Sequence, residues 1–120
     1  MSDRRKDADF LADIEESADK ITRYVRAMTF DEFCDDSKTV DAVIRNLEVI
    51  GEATKNISEA LKSQSPEIAW RGMAGLRDRL IHNYFGVDVE IVWNIAVDEL
   101  PLLLENLYAL KNRIKENCTP

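Results

Sequence analysis

Three side chains suited to chemistry fall close together in the stretch RDRLIHNY, residues 77–84. Arg77 precedes His82, the only histidine of the chain, by five positions, and Tyr84 follows His82 by two. A histidine can take up or release a proton near neutral pH, and an arginine fork stabilises negative charge that develops on a phosphate. These residue types suit cleavage of a phosphodiester without a metal ion, with His82 moving the proton and Arg77 holding the phosphate.

The helix that the apolar pattern predicts over residues 73–85 does not bring these side chains together. Each helical residue advances by about 100°, which places Arg77 in the middle of the apolar stripe and His82 about 140° away from it. A guanidinium among apolar side chains needs a core carboxylate, a cleft or a subunit interface. Asp78 precedes His82 by one turn, so these two can make contact. Arg77 and His82 can meet only if the helix is distorted near its end or a second chain supplies one of them.

A purely structural role is the alternative interpretation of these residues. His82 can be a surface or interface histidine that is paired with Asp78. Arg77 can pair across helices with acidic residues of a preceding helix, and Glu48 and Glu52 are the candidates. The row that Arg45 forms with these two glutamates on that helix is most simply a solvated ion-pair face, which contributes little to stability.

Composition narrows the classes of function. The chain has 16 basic and 23 acidic residues and a net charge of −7, which weakens general attraction to nucleic acids, so binding to RNA requires a local basic site. One histidine and no Glu-x-x-His motif argue against a di-iron site, and neither Gly-rich phosphate loops nor zinc-type spacings occur. Cys34 and Cys118 predict free thiols in a reducing cytoplasm. No signal peptide or membrane span is expected.

Helices must position the candidate residues, because the apolar pattern is helical along the whole chain. With 120 residues, four glycines and three prolines, we expect one domain, residues 1–120, folded as an all-α antiparallel bundle of four to five helices. Thr39 and Asp88 are expected N-caps, Gly51 indicates a close helix approach, and Pro101 predicts a break or kink. The predicted helices span residues 10–28, 40–62, 73–85, 89–97 and 103–114.

The stretch RDRLIHNY resembles the signature of HEPN domains, which is an arginine, four to six residues and a histidine. In the HepT-like branch the signature is arginine, four residues, histidine, any residue and tyrosine, which Arg77, His82 and Tyr84 match. The flanking stretches are similar to that branch as well: RNLEVIGEATKNIS from Arg45, IAWRGMAGLRDRLIHNYFGVD from Ile68 and LPLLLENL from Leu100. The resemblance therefore covers nearly the whole chain.

The resemblance implies a homodimer whose motif helices pair and form a composite cleft at the two-fold axis. Arg77 and His82 would then meet across chains. It also implies a metal-independent endoribonuclease that needs no cofactor and acts as the toxin of a toxin–antitoxin pair. In that cleft Asp78 would orient His82, and the positive charge that RNA needs would come from Arg77 together with Arg79 and Arg71.

The resemblance further implies a partner, a minimal nucleotidyltransferase antitoxin encoded by the neighbouring gene. Such a partner can transfer AMP from ATP to the motif tyrosine, Tyr84. Bulk and negative charge beside the cleft would then exclude the phosphates of RNA. The alternative is a non-catalytic helical binding module, which would position a nucleotidyltransferase or its substrate without chemistry of its own.

Overall fold

The computed structural model describes residues 5–81 and 86–117, and these residues form helices joined by short connections. The described residues contain no β-strand, only an isolated bridge between Ile81 and Val87. The predicted all-α fold is therefore confirmed. The helices are α1 (Asp7–Val25), α2 (Phe30–Asp35), α3 (Ser37–Lys55), α4 (Glu59–Ser63), α5 (Trp70–Ala74), α6 (Leu76–Leu80), α7 (Val89–Asn94) and α8 (Leu100–Asn117), with a π-helical turn (Ile95–Glu99) between α7 and α8.

The core lies between the three longest helices, because α1 packs along both α3 and α8. Each of these helices carries apolar residues at intervals of three and four, which places them on one face. This face is buried in all three helices, and the short helices α5 and α6 pack against α3. The central side chains include Ile14, Ala18 and Ile21 of α1, Val43, Leu47 and Ile50 of α3, and Leu107 and Leu110 of α8.

Two leucines of α8 provide a test of this core. Leu107 is fully buried, whereas the side chain of Leu102 is 57% exposed. We expect Leu107→Ala to lower the free energy of unfolding by about 2–5 kcal/mol, because it removes buried methyl groups and leaves a cavity. Leu102→Ala should change it by about 0.5 kcal/mol or less. Urea denaturation of the two variants checks this, and equal losses in both would contradict the packing of α8.

Capping side chains explain where α3 begins and ends. The N-cap is Asp36 rather than Thr39, and the Asp36 carboxylate accepts hydrogen bonds from the Thr39 backbone N–H (3.1 Å) and hydroxyl (2.7 Å). The helix predicted to continue to residue 62 ends at Lys55. Ser58 instead caps α4, and its N–H and hydroxyl donate to the Asp7 carboxylate at 2.9 and 2.6 Å. The Ser58 hydroxyl also accepts from the Leu61 N–H at 3.1 Å, so one local bond and two bonds to a distant residue favour a new helix start here over continuation of α3.

Pro101 does not break the helix that contains it. The chain stays helical from residue 89 to residue 117, and the backbone is right-handed helical at both Ile95 and Leu100. Before the proline, the Leu100 N–H donates to the Ile95 carbonyl, five residues back. This wider π turn gives the proline ring room that a regular turn would not provide. A local distortion within a continuous helix therefore stands where the sequence predicts a break or kink.

Candidate functional site

The segment that leads into the candidate residues consists of two short helices and not one long one. Gly75 lies between α5 and α6 with φ −93° and ψ 14°, and after α6 the chain is extended at Ile81. The Leu80 carbonyl accepts a hydrogen bond from the Asp88 N–H at 3.0 Å. The prediction of one helix over residues 73–85 is therefore wrong for residues 73–81, which form parts of two helices and an extended residue. Its last part lies outside the described residues, as do His82 and Tyr84.

Gly51 of α3 allows the junction of α5 and α6 to lie against the bundle. A Cβ atom at Gly51 would lie 3.3 Å from the Met73 carbonyl oxygen and 3.9 Å from the Leu76 Cβ. The first distance is shorter than about nine in ten such contacts, so a residue with a Cβ atom would require the junction to shift by a few tenths of an ångström. The close helix approach expected at Gly51 is confirmed, and it fixes the distance between α3 and the helix that carries Arg77.

Arg77 is exposed and does not lie in the middle of a buried stripe. The buried face of α6 is centred on Leu76 and Leu80, which places Arg77 at its margin. The angular prediction was wrong because it assumed one regular helix with apolar residues on both sides of Arg77, whereas Ile81, on one of those sides, is 46% exposed and lies outside the helix. The Arg77 guanidinium is therefore accessible to a ligand in the isolated chain.

A structural partner for Arg77 is not found within residues 5–81 and 86–117. None of these residues forms an ion pair or hydrogen bond with its side chain, and Glu48 and Glu52 are exposed without contacting it. No carboxylate among these residues is buried in the core. The core-carboxylate and cross-helix interpretations therefore have no support among the described residues, and an exposed Arg77 needs no internal partner, so its guanidinium is open to a ligand or to a second chain.

Asp78 and Arg71 are also exposed and accept or donate no side-chain hydrogen bond within the part of the chain that the structure describes. The expected contact between Asp78 and His82 assumed a continuous helix, but α6 ends at Leu80. That contact therefore stays a prediction, and it lies outside the described residues. Arg71, on α5, is a second cation that is available to an anion on this side of α3.

Arg79, in contrast, has a partner. Its two terminal nitrogens donate to the two carboxylate oxygens of Glu99 at 3.0 and 2.7 Å, a bidentate ion pair between α6 and the π turn. This hydrogen bond raises the pKa of Arg79 above its ordinary value, against the opposing effect of burial. Arg79 was predicted to bind substrate, and that role stays untested, but much of its charge is already neutralised by Glu99.

Both ends of the stretch that holds His82 and Tyr84 are fixed to each other. Ile81 pairs with Val87 in an antiparallel bridge, directly beside the hydrogen bond from Asp88 to Leu80. Gly86 has φ +92°, a conformation that favours glycine. Asp88 then caps α7 as predicted, because its carboxylate accepts from the N–H groups of the second and third residues that follow. The bridge and the hydrogen bond thereby hold Ile81, at the end of α6, close to the residues that lead into α7.

The described residues offer neither a metal site nor a membrane-spanning helix. They contain no group of three or more histidine, cysteine, aspartate or glutamate side chains that could hold a metal ion. None of the helices described is both long and apolar enough to cross a membrane. Cys34 is an exposed free thiol, as expected, and Cys118 lies outside the described residues.

Comparison with known proteins gives one consistent result. The model of a family described as "Ribonuclease HepT-like" matches residues 14–110. A Methanocaldococcus jannaschii protein named "Putative RNase MJ0127" is 52% identical over 92 residues, which is 77% of this chain and 76% of the relative. "Probable ribonuclease HepT" of Thermococcus cleftensis is 48% identical over 100 residues, 83% of this chain and 91% of the relative. No solved structure matches the chain.

Proposed function

Because the chain belongs to the HepT-like ribonuclease family, we propose that it is a metal-independent endoribonuclease in which His82 transfers protons and Arg77 binds the reacting phosphate. The observation that carries the proposal is the state of Arg77, an exposed guanidinium without an ion-pair partner among the described residues. It lies five positions before the only histidine of a chain whose relatives are named as ribonucleases. A phosphate-binding arginine has to be free and accessible in this way.

The proposed reaction uses the 2′-hydroxyl of the ribose as the nucleophile. A histidine takes the proton of this hydroxyl while its oxygen forms a bond to phosphorus, and the bond from phosphorus to the 5′-oxygen breaks. A protonated histidine gives its proton to that leaving oxygen, so the products are a 2′,3′-cyclic phosphate and a 5′-hydroxyl. Arg77 stabilises the charge that grows on the phosphate oxygens, and Asp78 orients His82.

We further propose that the active form is a homodimer. In the proposed cleft Arg77 of one chain holds the phosphate and His82 of the other chain takes up the proton and returns it, so each of the two sites needs both chains. Beside the stretch that holds His82, the backbones of Ile81 and Val87 form the bridge, and both residues are apolar and partly exposed. Such side chains suit burial against a second copy. Arg77 and Arg71 of two chains would also concentrate positive charge on a protein with a net charge of −7.

The experiment that tests this function is incubation of the purified full chain with RNA in EDTA. Fragments are separated on a denaturing gel, and their ends are identified chemically. We expect fragments with 2′,3′-cyclic phosphate ends. RNA that stays intact, while a known metal-free ribonuclease cleaves it in the same buffer, would overturn the proposal.

The role as a toxin, regulated by a nucleotidyltransferase, is proposed on the position of Tyr84 two residues after His82. AMP on this tyrosine would place a phosphate and a nucleoside where the substrate phosphate binds, so the modified protein should not cleave RNA. We expect the neighbouring gene to encode this nucleotidyltransferase, and co-expression with it to add the mass of one or more AMP groups, as measured by intact-mass spectrometry.

Two tyrosine variants control this measurement. Tyr84→Phe should stay unmodified, whereas Tyr108→Phe, which changes a tyrosine on α8 that is 65% exposed, should be modified like the wild type. Addition of AMP to Tyr84→Phe would show that another residue is the acceptor. A stable complex without modification and without RNA cleavage would favour the alternative function, a non-catalytic helical module that binds a nucleotidyltransferase.

A further inference from the structure

We propose that Arg79 is a positioning residue: its ion pair with Glu99 fixes the rotation of α6 about its own axis and thereby directs Arg77 toward the reacting phosphate. The proposal rests on the proposed ribonuclease function for the role of Arg77. It concerns a different residue pair, and it assigns to Arg79 a role other than direct contact with RNA.

Helix α6 cannot hold its own orientation. It has five residues, and isolated helices shorter than about 12–15 residues are marginal in water. Its apolar anchors are two buried side chains, Leu76 and Leu80, and apolar contact is not directional. Among the described residues, the bond from Arg79 to Glu99 is the only side-chain hydrogen bond or ion pair that joins α6 to another element.

The side chains of Arg77 and Arg79 leave α6 in different directions. Two residues along a helix correspond to a rotation of about 200°, so Arg77 and Arg79 leave α6 on nearly opposite faces. The bidentate geometry fixes the plane as well as the position of the Arg79 guanidinium. When Arg79 is held on the π turn, Arg77 is therefore directed away from α8. An unpaired Arg79 would let α6 rotate, and a displacement of about 1 Å at a reacting group can lower a rate about 100-fold.

The two residues of the ion pair lie on either side, in the sequence, of the stretch that holds His82. Arg79 immediately precedes Leu80, whose carbonyl accepts the hydrogen bond from the Asp88 N–H. Glu99 belongs to the π turn that follows α7 directly. The ion pair thus joins α6, which precedes residues 81–88, to the π turn that follows α7, and its loss should weaken the bond between Leu80 and Asp88 too.

If Arg79 bound RNA directly, the variant Glu99→Gln would change kcat and KM in a different way. If Arg79 contacts RNA, Glu99→Gln frees the arginine and removes a nearby negative charge, so RNA should bind more tightly and KM should fall. If Arg79 positions α6, Glu99→Gln and Arg79→Gln remove the same constraint, so both variants should lose kcat.

The experiment measures kcat and KM for Arg79→Gln, Glu99→Gln, the double variant and the charge-exchanged variant Arg79→Glu/Glu99→Arg. We expect each single variant to lose about 10- to 100-fold in kcat, with KM within about threefold of the wild type. The double variant should be no worse than either single one, and charge exchange should restore part of kcat. Asp98→Asn, which removes an adjacent exposed carboxylate of the same π turn, should behave like the wild type.

A second measurement does not depend on activity. Hydrogen exchange at the Asp88 amide should be faster in Arg79→Gln and in Glu99→Gln than in the wild type or in Asp98→Asn. A lower KM in Glu99→Gln together with a higher KM in Arg79→Gln would overturn the positioning role, and so would unchanged exchange in both variants. If the wild-type protein leaves RNA intact, the proposed function fails, and the exchange rates still decide whether the pair holds α6.

Discussion

We expect replacement of His82 by alanine to lower the rate of RNA cleavage by about 10²- to 10⁴-fold, the range that a positioned acid–base group contributes. His82 is the only histidine of the chain, so no other imidazole of the same protein can take its place. The binding of RNA should change little, because in the proposed site arginine side chains, and not His82, hold the phosphate. Initial rates on a defined RNA in EDTA, with affinity measured separately, check both statements.

Two controls separate lost chemistry from lost structure. The thermal unfolding of His82→Ala should resemble that of the wild type, and added imidazole should restore part of its cleavage rate by supplying the missing base or acid. A variant that cleaves RNA at the wild-type rate, or that has lost its fold, would remove the support for His82 as the proton-transfer group.

The sequence predicted the general fold because it is encoded in local periodicity. Apolar residues at intervals of three and four located the three long helices, although α3 ends at Lys55 and not at residue 62. Asp88 was recognised as a cap because an aspartate before an apolar run can accept from the N–H groups of the first turn. Gly51 indicated the close approach for a similarly local reason, since a helix interior disfavours glycine unless space requires it. Signals that depend on a few neighbouring residues could therefore be interpreted without the structure.

The site was predicted less well because its geometry depends on contacts between distant residues. The break at Gly75 and the end of α6 at Leu80 are stabilised by packing on α3 and by a hydrogen bond from Asp88. The role of Glu99 was missed because it lies 20 residues from Arg79, and no periodic pattern joins the two. The structure does not describe His82 and Tyr84, so their roles stay predictions that come from the resemblance and the family.

Ion pairing also explains how an acidic protein can keep a site for an anion. Several exposed cations are paired with carboxylates nearby in the sequence, among them Arg5, Lys20 and Arg23 on or beside α1. Such exposed pairs contribute little to stability, but each cancels a positive charge locally. Arg71 and Arg77 have no such partner in the part of the chain that the structure describes. Their field is therefore available to a phosphate despite the net charge.

Arg77→Ala should lower the rate of cleavage by about 10²- to 10³-fold, as expected when one group that stabilises transition-state charge is removed. The free energy of unfolding should change by about 0.5 kcal/mol or less, because the side chain is exposed and makes no ion pair with a described residue. Arg45→Ala is the matched control, since it removes another exposed, unpaired arginine, on α3, and should leave the rate unchanged. An equal loss in Arg45→Ala would point to general electrostatics and not to a role at the phosphate.

The variant Arg77→Ala, combined with His82→Ala in one dimer, tests whether the site is shared between two chains. In a dimer of one Arg77→Ala chain and one His82→Ala chain, a composite cleft pairs the intact arginine of the second with the intact histidine of the first. One site of the two is then complete, and the heterodimer, purified through two different tags, should regain up to about half of the wild-type rate if the sites act independently. If each chain carries its own site, both sites stay defective, because one lacks its arginine and the other its histidine. A purified heterodimer no more active than either parent variant would therefore exclude the shared cleft, while leaving the roles of the two residues to the single-variant rates.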